Sequence, residues 1–235
     1  MNPIRHSWDF SPTEAVALQR QLREEIRLTP FEGPIRHIGG ADLSYNKGSD
    51  EFYAGIVVLD YEAMKVVAHS TVIRRSPFPY IPGLLSFREI PSLMEAWERL
   101  PFQPDIITFD GHGIAHPRRM GIASHFGLLA DIPTIGCAKK RLTGKYDEPT
   151  LRRGSYSSIL DGEETLGFAL CVKDGVKPVF VSPGHRVGLT QSREIMLHCA
   201  RGYKIPEPTR QAHLLVNRLR RGEVDPGVWT TRPGR

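Results

Sequence analysis

Residues 105–127 read DIITFDGHGIAHPRRMGIASHFG, and the fold is organised around this stretch. The apolar, β-prone run at 106–109 is typical of a short strand buried on both faces. Asp110 follows where that strand should end, two glycines flank His112, and a helix is predicted to begin near Gly121. Open α/β sheets bind ligands at such positions, beyond the carboxyl end of a strand. Taken alone, Asp110 is better explained as a turn-capping residue, so a functional role requires other acids and bases nearby.

The composition is that of one large globular domain. The chain has 235 residues, 40% of them hydrophobic, which is enough for a sizeable core. Its polar start is unlike a signal peptide, and no apolar run approaches the roughly 18 residues of a membrane helix. The three cysteines lie far apart without a CxxC pattern, so we expect reduced thiols and a cytoplasmic location. The net charge of +5 permits a polyanionic partner without requiring one.

Hydrophobic periodicity predicts an α/β fold that begins with a helix and an antiparallel meander. The sequence SPTE at 11–14 is a capping box that predicts the first helix. Alternating residues at 37–45, 52–60 and 65–73 then predict three strands joined by short turns.

The second half of the chain predicts further alternating strands and helices. We expect a buried strand at 132–138, a hairpin that turns at Asp161 and Gly162, and a last helix capped near Thr209. We expect one domain over residues 1–221, followed by a basic and flexible tail over residues 222–235.

Three carboxylates are candidates for a metal site. Asp42 lies on the first strand, Glu89 near a helix start and Asp110 at a strand end. Converging carboxylates repel one another, and a hard cation such as Mg²⁺ or Mn²⁺ would stabilise them together. Such ions activate water for phosphodiester cleavage. Spacing alone does not show that the three meet, and Ser86-x-x-Glu89 also has the form of a capping box.

Other reactions find less support in the sequence. The pair His112-x-x-x-His116 fits zinc poorly, because Gly113 and Pro117 oppose a regular helix and no cysteine lies nearby. The chain lacks a GxxxxGK[ST] loop and a GxSxG elbow, which leaves nucleoside triphosphatase and serine hydrolase functions unsupported. Lys139 follows a strand end, where it is either a solvated side chain or a point charge for a phosphate.

Six motifs together resemble the endonuclease V family of deoxyinosine-directed repair nucleases. They are GGADLSY at 39–45, PFPYIPGLLSFRE at 77–89, DGHGIAHPRRMGIASHFG at 110–127, GCAKKRL at 136–142, SPGHRVGLTQS at 182–192 and PTRQAH at 208–213. The resemblance runs from about Gly39 to His213, which is nearly the whole chain.

The resemblance implies a ribonuclease H-like fold and a metal-dependent active site. The expected sheet is mixed, with three antiparallel strands first and parallel strands after them, and helices flank both faces. Asp42 and Asp110 are expected to bind Mg²⁺, for which Mn²⁺ substitutes, and Glu89 to complete the acidic site. Lys139 and His213 are expected to assist catalysis at the phosphate.

The resemblance also implies a wedge and a lesion pocket. Tyr80, on a loop stiffened by Pro77, Pro79 and Pro82, is expected to fill the gap left by an extruded base. We expect the pocket for that base to be formed by Gly83, Leu85, Gly111, Gly113, Gly121 and Ile122. The candidates for DNA backbone contacts are Arg88, His116, Arg118, Arg119 and Arg141.

The expected function is hydrolysis of inosine-containing DNA at the second phosphodiester bond 3′ to the lesion, leaving 3′-hydroxyl and 5′-phosphate ends. We expect a monomer. Three alternatives stay open: an enzyme of the same fold that acts on inosine in RNA, a non-catalytic binder of damaged DNA, and a structure-specific nuclease indifferent to inosine.

Overall fold

The computed structural model describes residues 6–231, which form five α-helices and nine strands. In chain order these are α1 Pro12–Leu22, β1 His37–Tyr45, β2 Glu51–Asp60, β3 Val66–Arg75, α2 Leu85–Glu98, β4 Ile106–Phe109, α3 Ile122–Ala130, β5 Thr134–Ala138, β6 Tyr156–Asp161, β7 Glu164–Leu170, β8 Val179–His185, α4 Leu189–His198, α5 Glu207–Arg220 and β9 Gly227–Thr230. Among these residues, no helix is both long and apolar enough to cross a membrane.

All nine strands join one mixed sheet in the order β6-β7-β8-β5-β4-β1-β2-β3-β9. The predicted meander is confirmed, since β1, β2 and β3 pair antiparallel. Strand β4 then pairs parallel with β1, and β5 pairs parallel with β4. Helix α3 joins β4 to β5, as parallel neighbours require a crossover connection. Beyond β5, the strands β8, β7 and β6 return to antiparallel pairing.

Helices cover both faces of the sheet, because successive residues of a strand point to opposite sides. Along β2, Val57 packs in a core with Leu215 of α5, and α4 contributes to the same core. Ile56, its neighbour, points the other way and packs with Leu93 of α2 and Phe126 of α3. The predicted sheet flanked on both faces is therefore confirmed.

The helix starts decide between the two interpretations of Glu89. Helix α1 has the predicted capping box, in which the Ser11 amide donates to the Glu14 carboxylate at 2.8 Å. Helix α2 instead begins at Leu85 without a side-chain cap, so Ser86 lies inside it and its hydroxyl meets His125 Nδ1 at 3.1 Å. The capping-box alternative for Glu89 is therefore wrong. Helix α5 also begins earlier than the predicted cap at Thr209.

The end of the described chain is a strand, which corrects the prediction of a flexible tail after Arg221. Strand β9 pairs antiparallel with β3, and the amide of Gly227 donates to Thr71 Oγ1 at 3.0 Å. Trp229 stacks on His69 with 5.5 Å between the ring centroids. Pro226 and the scattered arginines suggested a flexible tail, although the segment that forms β9 is β-prone. Residues 232–235 lie outside the described part.

Candidate active site

Strand register brings Asp42 and Asp110 together. The parallel strands β1 and β4 pair from Ile38↔Ile106 up to Ala41↔Phe109. Asp42 and Asp110 are the next residues along the chain after this pairing, and the amide of Asp110 still donates to the Ala41 carbonyl at 3.4 Å. The two carboxylates therefore leave the sheet side by side.

Helix α5 adds His213 to this pair. Its Nδ1 lies 2.8 Å from Asp42 Oδ2. The helix approaches β1 closely because Gly40 has no side chain: a Cβ there would lie 1.9 Å from the Pro208 carbonyl oxygen. A glycine in the sheet thus permits the close backbone contact that delivers the histidine to the carboxylates.

The three side chains form a candidate site for a divalent metal ion. One ligand atom from each of Asp42, Asp110 and His213 lies within 4.8 Å of the other two. Carboxylate oxygens and an imidazole nitrogen suit several divalent cations, and oxygen ligands favour the harder ones. Lys139, at the end of β5, places its ammonium against the Asp110 carboxylate. The sequence predicted His213 as a catalytic assistant; the structure brings it into the ligand cluster itself.

Glu89 lies beside the cluster rather than within it. It lines a small cavity of about 60 Å³ that Asp42 and Asp110 also line. Burial and the charges of those two aspartates raise the pKa of Glu89 to about 8. Burial also raises the pKa of Asp42, although the His213 hydrogen bond opposes the shift. A bound cation would favour the charged forms of these acids, so the residues present fit such an ion.

A larger cavity of about 260 Å³ adjoins the acidic cluster. Its wall includes five of the six predicted lesion-pocket residues, namely Gly83, Leu85, Gly111, Gly121 and Ile122. Its remaining lining residues are Tyr80, Pro82, Ser86, Glu89, Asp110, His112, His116, Met120 and Leu142. Ligand sites commonly measure about 300–1,000 Å³, and this cavity lies just below that range, so it suits a small chemical group.

Gly113, the sixth predicted pocket residue, lies behind the wall instead of in it. Its amide donates to Ser182 Oγ at 2.8 Å, and a Cβ at this position would lie 2.0 Å from the Pro183 carbonyl oxygen. The glycine is needed there because the loop packs directly on the backbone of β8. The sequence shows a run of glycines but not which of them face the cavity.

Two exposed apolar side chains line the mouth of the cavity. Tyr80 is 61% exposed and Leu142 is 47% exposed. The loop of Tyr80 is anchored to the core, since Phe78 is buried and stacks on Phe87 with 5.6 Å between the ring centroids. Sequence reasoning missed Leu142. The signal available was an apolar residue directly after the charged run at 139–141.

Three arginines predicted to contact a DNA backbone are engaged within the protein. Arg88 donates to the carbonyls of Ser49 and Phe78, each at 3.3 Å, and lies over the Phe52 ring. Arg119 pairs with the hairpin acids Asp161 and Glu164 at 2.8 and 2.7 Å. Arg118 donates to Gln19 and to the Gly83 carbonyl. The three side chains therefore have intramolecular partners in the protein without DNA, and their contact with a DNA backbone stays a prediction.

His116, another predicted backbone contact, is buried and hydrogen-bonded within the protein. It is 4% exposed, and burial lowers its pKa to about 4, which keeps the imidazole neutral. Its Nε2 donates to the Gly83 carbonyl and its Nδ1 accepts from the Arg118 amide, so neither nitrogen is available for zinc. Of the five predicted backbone contacts, Arg141 alone is exposed at the surface.

The sequence profile of the endonuclease V family matches residues 20–214 of this chain. An endonuclease V from Myxococcus xanthus is 48% identical over 224 residues, which cover 95% of both chains. The chain belongs to the endonuclease V family. Endonuclease V proteins are nucleases, and the acidic cluster described above offers ligands for a divalent ion of the kind that promotes phosphodiester hydrolysis.

Solved endonuclease V structures share the fold over nearly the full length. The protein from Streptomyces avermitilis superimposes with a TM-score of 0.87 at 42% identity and covers 94% of this chain and 98% of its own. The Ciona intestinalis endonuclease V has a TM-score of 0.81 at 29% identity, with 90% of this chain and 98% of its own covered. That protein was crystallised with a 23mer DNA containing an inosine followed by a ribo-adenosine.

Proposed function

We propose that this protein is a Mg²⁺-dependent endonuclease that recognises deoxyinosine in DNA. It hydrolyses the second phosphodiester bond 3′ to the lesion and leaves 3′-hydroxyl and 5′-phosphate ends. The observation that carries the proposal is the shared wall between the two cavities, since Glu89, Asp110 and Ile122 line both. A base held in the larger cavity keeps its own strand next to the acidic cluster.

Each residue of the cluster has a separate role in hydrolysis. Asp42, Asp110 and His213 hold the cation, for which Mn²⁺ substitutes. When bound, the ion activates water and stabilises the leaving oxygen. Glu89 stands beside the ligand atoms, where it accepts or returns a proton of the attacking water. The ammonium of Lys139 orients Asp110 and offers a positive charge to the scissile phosphate.

Tyr80 supports the extrusion of the lesion base. Removing a base from the stack costs a few kcal/mol. An aromatic ring that stacks in its place contributes about 1–3 kcal/mol. Tyr80 is exposed at the cavity mouth, on a loop anchored by buried Phe78, so its ring reaches the nucleic acid without unfolding the loop.

Backbone groups around the cavity account for selection of the base. Hypoxanthine presents an O6 acceptor and an N1 donor, adenine lacks both, and guanine adds a 2-amino group. A narrow pocket edged by Gly83, Gly111 and Gly121 sterically excludes the 2-amino group of guanine. With adenine in the pocket, polar groups of the pocket would lack hydrogen-bond partners. Arg141, exposed beyond β5, is the most accessible candidate for a backbone phosphate contact, and it also donates to the Gly144 carbonyl.

An inosine-directed ribonuclease of the same fold is the second candidate. The observation that favours it is the ribo-adenosine that follows the inosine in the DNA bound by the Ciona protein. Matched DNA and RNA strands, each with a single inosine, separate the two candidates by their relative cleavage rates.

The three free cysteines, all buried, accord with the cytoplasmic location that we propose, and we propose a monomer.

A nicking assay on one labelled duplex tests the proposal. The duplex carries inosine or adenine at one position, and each is incubated with Mg²⁺ or with a chelator. We expect a nick only with inosine and Mg²⁺, located at the second bond 3′ to the lesion, and none from Asp110→Asn. Binding without a nick would indicate a non-catalytic binder, and equal cutting of both duplexes would indicate a structure-specific nuclease.

A further inference from the structure

The carbonyl of Gly83 is held by three side chains from two other segments. Gln19 Nε2 donates to it at 3.0 Å, His116 Nε2 at 3.2 Å and Arg118 Nη2 at 2.8 Å. Gly83 itself has a φ of +81°, and a Cβ there would lie 2.7 Å from Arg118 Nη2. Because three donors converge on one oxygen, this point of the wall between Tyr80 and α2 is fixed.

The amide of Gln19 joins the two sides of the 260 Å³ cavity. Its Nε2 donates to Gly83 on one side and to the carbonyl of Met120 on the other, at 3.0 and 3.2 Å. Its Oε1 accepts from Arg118 Nε at 2.5 Å. Both protons of the amide nitrogen and the oxygen therefore have partners, and Gly83 and Met120 both line the cavity.

Gln19 lies on α1 and is not among the residues that line the cavity. Its side chain is fully buried, and Leu22, three residues later, packs with Met120 and Leu128. Sequence reasoning gave this helix no chemistry, and Gln19 precedes the matched family region by one residue. A side chain that is buried yet bonded to both walls acts on a bound base only through those walls.

We propose that Gln19 is a positioning residue that sets the width of the base cavity and thereby the discrimination between inosine and ordinary bases. The inference rests on the proposed function. Without the amide, the carbonyls of Gly83 and Met120 lose the donor that they share. Gly83 keeps His116 and Arg118 as donors, but the hydrogen-bonded link between the two walls is broken. The walls then move relative to each other, while Asp42 and Asp110 on the sheet keep their places.

The test compares Gln19→Met with the matched control Gln21→Met, an exposed glutamine on the same helix. Binding of a duplex with inosine and of the same duplex with adenine is measured in chelator, and steady-state cleavage is measured in Mg²⁺. For Gln19→Met we expect the inosine-to-adenine affinity ratio to fall about tenfold and KM to rise, with kcat within about twofold. Gln21→Met is expected to match the parent protein in each measurement.

A second variant keeps the inference testable where Gln19→Met fails to fold. Gln19→Glu retains the acceptor for Arg118 but removes both amide protons, so the affinity ratio is expected to fall as in Gln19→Met. An unchanged ratio in a folded Gln19→Glu or Gln19→Met protein overturns the inference. Failure of the proposed function is distinct, because the parent protein itself would then show no preference for inosine.

Discussion

Asp42 and Asp110 lie side by side although 67 residues separate them in the sequence, because each directly follows the last paired residue of its parallel strand. Asp42 also accepts from His213 on α5, and Asp110 also contacts Lys139, which directly follows β5. Four elements therefore converge on two carboxylates. This convergence places the candidate metal site where the pairing of β1 with β4 ends.

Removal of the ammonium at position 139 is expected to slow cleavage much more than it weakens binding. In Lys139→Gln, Asp110 loses its cationic partner and the phosphate loses a positive charge, so kcat should fall about a hundredfold. Lys140→Gln removes the exposed neighbouring charge and serves as the control. Single-turnover cleavage and duplex affinity measure the two effects. Equal losses in both variants would show that bulk charge, and not the contact with Asp110, matters.

Loss of the ring at position 80 is expected to weaken inosine binding without destabilising the fold. Tyr80 is 61% exposed, so Tyr80→Ala should leave the melting temperature within about 1 °C. Affinity for the inosine duplex should fall about tenfold, because one stacking contact is lost. Tyr80→Phe keeps the ring and is expected to bind like the parent protein. Unchanged affinity in Tyr80→Ala would remove the wedge role.

A methyl group at position 121 is expected to damage both the cavity and the fold. A Cβ on Gly121 would lie 2.1 Å from the His112 carbonyl oxygen and 2.6 Å from that of Gly113. Gly121→Ala should cost about 1–3 kcal/mol of unfolding free energy and weaken inosine binding. Gly188→Ala is the control, because Gly188 caps the start of α4 and a Cβ there would make only an ordinary contact of 3.4 Å with Pro30. Denaturant unfolding and duplex affinity give the two readouts, and two equally stable variants would contradict the prediction.

The strand after Arg221 is expected to contribute stability but no activity. Trp229→Ala removes the ring that stacks on His69 and leaves β3 partly uncovered. We expect a loss of about 1 kcal/mol in unfolding free energy with unchanged cleavage per folded molecule. Thermal melting and kcat measure these quantities. An unaltered free energy of unfolding would contradict this prediction and favour the flexible tail expected from the sequence.

Local patterns predicted much of the fold. Alternation over residues 37–73 predicted the meander, and the capping box at Ser11 predicted the start of α1, because both depend on residues close in sequence. The pairing of β1 with β4 has no local signal, so the spacing of the acids alone left their meeting undecided. The motifs that resemble the family supplied that information.

Side-chain partners distant in sequence were the part that local patterns did not predict. Arg119 looked like a free cation, yet it pairs with Glu164, 45 positions away. Gly113 resembles its neighbour Gly111, yet only Gly111 lines the cavity. The role of Gln19 depends on how α1 packs, which residue type and spacing do not encode.

Binding of Mn²⁺ tests the central claim most directly. Electron paramagnetic resonance follows a Mn²⁺ titration of the parent protein, of Asp42→Asn and of Asp110→Asn, with Asp105→Asn as a control at the opposite end of β4. If the two aspartates share one ion, each of the first two variants should bind it at least about tenfold more weakly and retain the parent melting temperature. The control should bind Mn²⁺ like the parent. Equal affinity in all four proteins would contradict a shared metal ion and, with it, the proposed hydrolysis.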